Sequence, residues 1–131
     1  MGLTKETVTT WLRSYVKAWE TEDPNAIGAL FTVDATYSYH PFEAPVIGRL
    51  AIVASWVDDQ DPPGTYDASY EPIAIDADLA VAQGRSRYFK DASKSELDRV
   101  FDNLFLIQFD DQGRCRSFRE WFMSPRGQAV Q

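Results

Sequence analysis

Apolar positions recur with helical spacing in the first part of the chain and with a spacing of two in the second half. From Thr4 to Glu20, Val8, Leu12, Tyr15, Val16 and Trp19 form one stripe, with Trp11 on its flank and Arg13, Ser14 and Lys17 outside. This predicts an amphipathic helix with Thr4 as its N-cap and Glu6 suited to the positive first turn. Asp23-Pro24 is a second start signal, an acceptor followed by proline at the first helical position. Ala26, Ile27, Ala29, Leu30 and Phe31 extend a short helix from it. Thr36, Ser38 and His40 then alternate with Tyr37 and Tyr39 as in a strand, until Pro41 ends the ladder. Gly48 to Val57 reads as a third helix, and Asp58 to Gly64 as a solvent loop.

Four strands are predicted beyond that loop: Tyr66 to Ile75, Leu79 to Phe89, Arg99 to Phe109 and Arg114 to Met123. The breaks between them are Asp76-Ala77-Asp78, the polar run Lys90 to Asp98, and Asp110-Asp111-Gln112-Gly113. Short connections imply antiparallel pairing, and helices followed by a run of strands imply an α+β fold. On the second of these strands, one face carries Leu79, Val81, Gln83, Arg85 and Arg87, and the other Ala80, Ala82, Gly84, Ser86 and Tyr88. Large apolar residues belong against the helices, so the face with Leu79 and Val81 is expected inside, carrying Arg85 with it.

Composition narrows the function classes. The 131 residues suit one domain, 1–131, large enough to bury a core. A net charge of -7 argues against nucleic acid and anionic membrane as partners, since both require a basic footprint. The single cysteine, Cys115, and single histidine, His40, offer neither a disulfide framework nor a zinc set. Asp58, Asp59 and Asp61 do not have the spacing of a calcium loop, and the prolines beside them oppose one. No metal or cofactor is expected. Without an apolar run of membrane length or a signal-peptide pattern, a cytoplasmic protein is expected.

The string Ser14-Tyr-Val-Lys-Ala-Trp-Glu-Thr-Glu-Asp-Pro-Asn-Ala-Ile-Gly-Ala-Leu-Phe31, followed by Asp34-Ala-Thr36, resembles the nuclear transport factor 2-like superfamily. That group includes ketosteroid isomerases and SnoaL-like cyclases. The helix from Gly48 to Trp56 and the closing hairpin Phe109 to Trp121 fit the same pattern. The resemblance implies a cone-shaped, cystatin-like α+β roll, with three N-terminal helices packed in a strongly curved, mixed but mainly antiparallel sheet. It further implies an apolar pocket at the open end and a homodimer through the sheet's outer face. Such a face would here carry Ala80, Ala82, Gly84, Ser86 and Trp121. Against ketosteroid isomerase, Tyr15 matches the oxyanion-hole tyrosine and His40, before Pro41, the general-base aspartate. The acid that completes that oxyanion hole falls at or near Phe105, and the nearest polar residue on the same face is Asn103. Two of three positions differ in type, so steroid isomerase activity is not expected.

By the family's inward and outward parity, Asn103 and Phe105 share the inner face with Phe118, Glu120 and Phe122. The expected pocket has aromatic walls from Tyr15, Trp19, Phe42, Trp56, Phe105, Phe118 and Phe122, and a polar cluster of His40, Arg85, Asn103 and Glu120. In the leading reading, His40 is a general acid/base on a small apolar or aromatic carbonyl compound. Tyr15 and Asn103 donate to the oxygen on which charge develops, and Arg85 either binds an acidic group or pairs with Glu120. Isomerisation, cyclisation and dehydration are reactions of this kind. The alternative is a non-catalytic small-molecule-binding or dimerisation module.

Overall fold

The computed structural model describes residues 2–58 and 60–128. Helix α1 (Lys5–Thr21) begins where the sequence signals it. The Thr7 N–H donates to Thr4 Oγ1 at 3.1 Å and the Thr4 N–H donates to Thr7 Oγ1 at 3.0 Å, a reciprocal cap. Val8, Trp11, Leu12, Tyr15 and Ala18 form its buried face. Trp11 is a core residue rather than a flanking one, because its indole N–H reaches the Leu30 carbonyl at 3.1 Å.

Helix α2 (Pro24–Gly28) starts at the Asp23 cap and ends earlier than the apolar run suggests. The Cys115 N–H donates to the Leu30 carbonyl at 2.8 Å and Phe31 pairs with Cys115, so this part of the run enters the sheet as β1 (Phe31–Ser38). A two-residue strand β2 (Val46–Ile47) pairs antiparallel with β1. Gly48, at φ 94°, then turns the chain into α3 (Arg49–Asp58), in a conformation that only glycine adopts without strain. Strands β3 (Tyr66–Asp76), β4 (Leu79–Phe89), β5 (Leu97–Phe109) and β6 (Cys115–Met123) follow.

The six strands form one curled, unclosed sheet in the order β2-β1-β6-β5-β4-β3, antiparallel except for β1 beside β6. Helix α1 lies in the concavity, and its aromatic rings pack on Phe105 and Phe118. The α+β roll of helices against a mainly antiparallel sheet is therefore as expected.

The face of β4 is a correction. Ala80 stands opposite Ile107, Ala82 opposite Phe105 and Ser86 opposite Phe101. Residues opposite one another in an antiparallel ladder share a face. Since Phe105 and Ile107 are fully buried, Ala80, Ala82 and Ser86 are inside, while Val81, Gln83, Arg85 and Arg87 face outward. Space decides this rather than hydrophobicity. Phe105, Phe118 and Tyr15 fill the volume, and only small side chains fit beneath them. At Gly84 even a methyl group is excluded, because a Cβ there would lie 1.9 Å from the Ser69 carbonyl oxygen. The dimer face expected from Ala80, Ala82, Gly84 and Ser86 is therefore the interior one, and of that set only Trp121 lies on the outside. Among the described residues, no helix is long and apolar enough to cross a membrane.

Candidate functional site

The open end of the roll holds a cavity of about 890 Å³, and half of its lining residues are aromatic. Its deep part is built by α1, β1 and the inner faces of β3 to β6. The Tyr15 ring is fixed by stacking on Phe118 (5.3 Å between centroids) and by the edge of Trp56 (5.1 Å). Tyr37 stacks on the same Phe118 ring at 4.5 Å, because the parallel pairing of β1 with β6 sets the two residues side by side. The Tyr15 and Tyr37 hydroxyls consequently meet at 2.6 Å.

A second chain of hydrogen bonds crosses the sheet. Ser86 Oγ donates to Asn103 Oδ1 at 2.7 Å, and Asn103 Nδ2 donates to Glu120 Oε2 at 2.7 Å. The Ser86 proton is thus committed, so the Tyr70 hydroxyl, 2.6 Å away, donates to Ser86. The order Tyr70 to Ser86 to Asn103 to Glu120 aims every donor at the carboxyl group. Burial pushes the Glu120 carboxyl up to about 7, and the Asn103 hydrogen bond only partly offsets that. Burial, with Glu120 as a further cause, raises both the Tyr15 and Tyr37 phenols well above their ordinary value, so both stay protonated donors. In the same pair, one hydroxyl donates to the other, which leaves the second proton available to an acceptor.

His40 lies past the end of β1, where the Glu43 N–H closes a turn onto the His40 carbonyl (3.1 Å) with Pro41 as its second residue. Its ring lines the cavity near Phe122. The Phe42 N–H donates to His40 Nδ1 at 3.3 Å. The neutral imidazole therefore carries its proton on Nε2, an assignment made from the hydrogen bond, and offers a donor rather than a base at that atom.

The structure brings together His40, Tyr15, Asn103 and Glu120, with Trp19, Trp56 and Phe122 on the walls. It separates four other expected residues from the cavity. Phe42 is 93% exposed on the turn and lies outside the lining. Arg85 points away from the cavity, with its guanidinium 4.0 Å from Asp102 on the outer face. Phe105 and Phe118 are fully buried in the core behind the lining, where they support Tyr15. The guanidinium that does line the cavity is Arg99, lying over the Tyr88 ring at 4.5 Å. Tyr37, Tyr70, Ser86 and Arg99 escaped the sequence reading. For Ser86 a signal existed: the small residues Ala80, Ala82 and Gly84 alternate with it and complement the large ones on the neighbouring strand. Among the described residues, no group of three or more His, Cys, Asp or Glu side chains is arranged to hold a metal ion.

Residues 12–118 match the sequence model of the SnoaL-like domain. The fold matches the crystal structure of an NTF-2-like protein of unknown function from Burkholderia xenovorans LB400, with a TM-score of 0.68 and 15% sequence identity over 92% of this chain and 85% of that one. At that identity the likeness establishes the fold alone. No curated protein matches the sequence.

Proposed function

The chain belongs to the SnoaL-like domain family of the nuclear transport factor 2-like superfamily, and on that premise we propose that its cavity binds a small carbonyl compound and moves a proton on it. The observation that carries this reading is Glu120, a half-buried residue whose carboxyl is poised near neutrality on the cavity wall, with Asn103 as its donor and the Tyr15–Tyr37 pair nearby. A carboxylate with that pKa takes a proton from carbon next to a carbonyl at neutral pH and returns it elsewhere. The electron pair released moves onto the carbonyl oxygen, where the free proton of the tyrosine pair stabilises the developing charge. Returning the proton to another carbon gives isomerisation, and expelling a β-hydroxyl as water gives dehydration. His40 then serves as an Nε2–H donor at the cavity mouth, a change from the acid/base role expected of it. Steroid substrates are not part of the reading.

The test is proton exchange in deuterium oxide, followed by NMR over a panel of enolisable cyclic ketones. Deuterium uptake at the α-carbon that vanishes in Glu120→Gln supports the reading, and uptake indifferent to that substitution removes it. One observation favours the non-catalytic alternative: each hydroxyl of the Tyr15–Tyr37 and Tyr70–Ser86 pairs already has a partner, so a ligand can be held there without reaction. Saturable binding of a ketone with no exchange between pH 5 and 9 would select it. We further propose a homodimer through the outer sheet face, where Leu104 and Trp121 stand opposite each other.

A further inference from the structure

Charge is distributed unevenly in the cavity. Glu43, Asp61 and Asp98 line its outer part with Arg99, and Glu120 lies deeper. Among the described lining residues Arg99 is the only permanently charged cation, and it is largely neutralised already. Its Nε lies 3.3 Å from Asp98, an Nη lies 3.9 Å from Asp61, and its side chain is 21% exposed. Two carboxylates against one guanidinium leave this end of the cavity negative before Glu43 is considered. Low-dielectric walls around such a group focus the field into the opening.

The aromatic residues add a second, independent preference. Trp19, Tyr88 and Phe101 line the same region, and the electron-rich face of an aromatic ring attracts cations. The protein shows this attraction with its own side chain, since the Arg99 guanidinium rests on the Tyr88 ring between the two aspartates. An anion entering here meets carboxylates and ring faces, whereas an ammonium group meets both as partners.

We propose that the ligand of this cavity carries a positively charged nitrogen, held at the outer end by Asp61, Asp98 and the neighbouring aromatic faces. The inference rests on the cavity being the ligand site and specifies the substrate class as an organic ammonium compound. The carbonyl end then lies toward Tyr15 and Glu120, and the ammonium end toward Arg99. Arg99 holds part of the cation site in the empty protein and sets how strongly a ligand is drawn to it.

The experiment is calorimetric titration of the intact protein with three probes of similar shape: 2-phenylethylammonium, 2-phenylethanol and 3-phenylpropanoate. Affinity is expected to fall in that order, by about tenfold or more between the first and the last. In Asp61→Asn/Asp98→Asn, Arg99 loses its counter-charges, and the order is expected to reverse in favour of 3-phenylpropanoate. Arg99→Gln is expected to tighten the ammonium probe, and it decides the matter if the double variant does not fold. The proposal is overturned if the ammonium probe fails to bind at millimolar concentration or if the carboxylate probe binds the native protein equally well. Unchanged selectivity in the double variant, or weakening by Arg99→Gln, overturns it too. Proton exchange that ignores Glu120→Gln would sink the catalytic reading and leave this order of affinities intact.

Discussion

The hydroxyl of Tyr15, on the first helix, lies 2.6 Å from that of Tyr37, on the first strand, although 22 positions separate them in the chain. Both rings lean on Phe118, so the contact is a product of core packing. One proton is used within the pair and the other is free for a ligand oxygen. Tyr15→Phe and Tyr37→Phe should each cost about 1 kcal/mol of stability in denaturant titration. The variant that removes the free proton should slow turnover of an identified substrate by roughly 10²- to 10³-fold. Equal, small effects of both on turnover would reduce the pair to a packing contact.

Glu120 makes the fold sensitive to pH in a stated direction. Its folded value of about 7 lies above the ordinary 4.5, so the native state binds more protons than the unfolded chain between those limits. The contribution of this group to stability is greatest below pH 4.5 and falls as pH rises to about 7, by about 3 kcal/mol in all. Glu120→Gln removes the buried charge and keeps an acceptor for Asn103. The variant should therefore be more stable than the native protein at pH 8, by an amount that shrinks toward pH 4.5. Thermal melts across that range check it.

At Gly84 the approach of β3 leaves no room for a side chain, with Tyr70 Cα only 2.7 Å from where a Cβ would stand. Gly84→Ala must push the two strands apart. A loss of at least about 3 kcal/mol is expected, with disturbance of the Tyr70–Ser86 hydrogen bond that crosses the same place. A loss below about 1 kcal/mol would mean that β3 yields easily.

The dimer proposal is read by sedimentation at micromolar concentration. Leu104→Arg, at a position 38% exposed on the outer face, should shift the protein to monomer without lowering its melting temperature by more than a few degrees. A native protein that already sediments as a monomer removes the proposal.

Much of the fold follows from local signals. The Thr4 and Asp23 caps mark the starts of α1 and α2, and the change from helical to alternating spacing separates the helices from β3 to β6. The parity implied by the family resemblance put Asn103 and Glu120 on the inner face, and the register of β5 with β6, Asn103 opposite Phe122 and Glu120 opposite Phe105, has them there. The rule that large apolar residues face the helices failed on β4, where large rings on β5 and α1 require small partners and the larger side chains turn outward. The site's hydroxyl pairs were not legible, since Tyr15–Tyr37 and Tyr70–Ser86 depend on three-dimensional proximity. His40 drew attention as the only histidine, yet the turn after Pro41 commits its Nδ1 to Phe42. Arg99 lay at the predicted start of a strand and gave no local sign that it would reach a cavity.

The central claim is that Glu120 is a proton-transfer group at neutral pH. The direct test is an NMR titration of protein carrying ¹³C-labelled glutamate carboxyls, with Glu120→Gln identifying the resonance. The account predicts a midpoint of about 7 for that carboxyl. A midpoint near the ordinary glutamate value of 4.5 would contradict it.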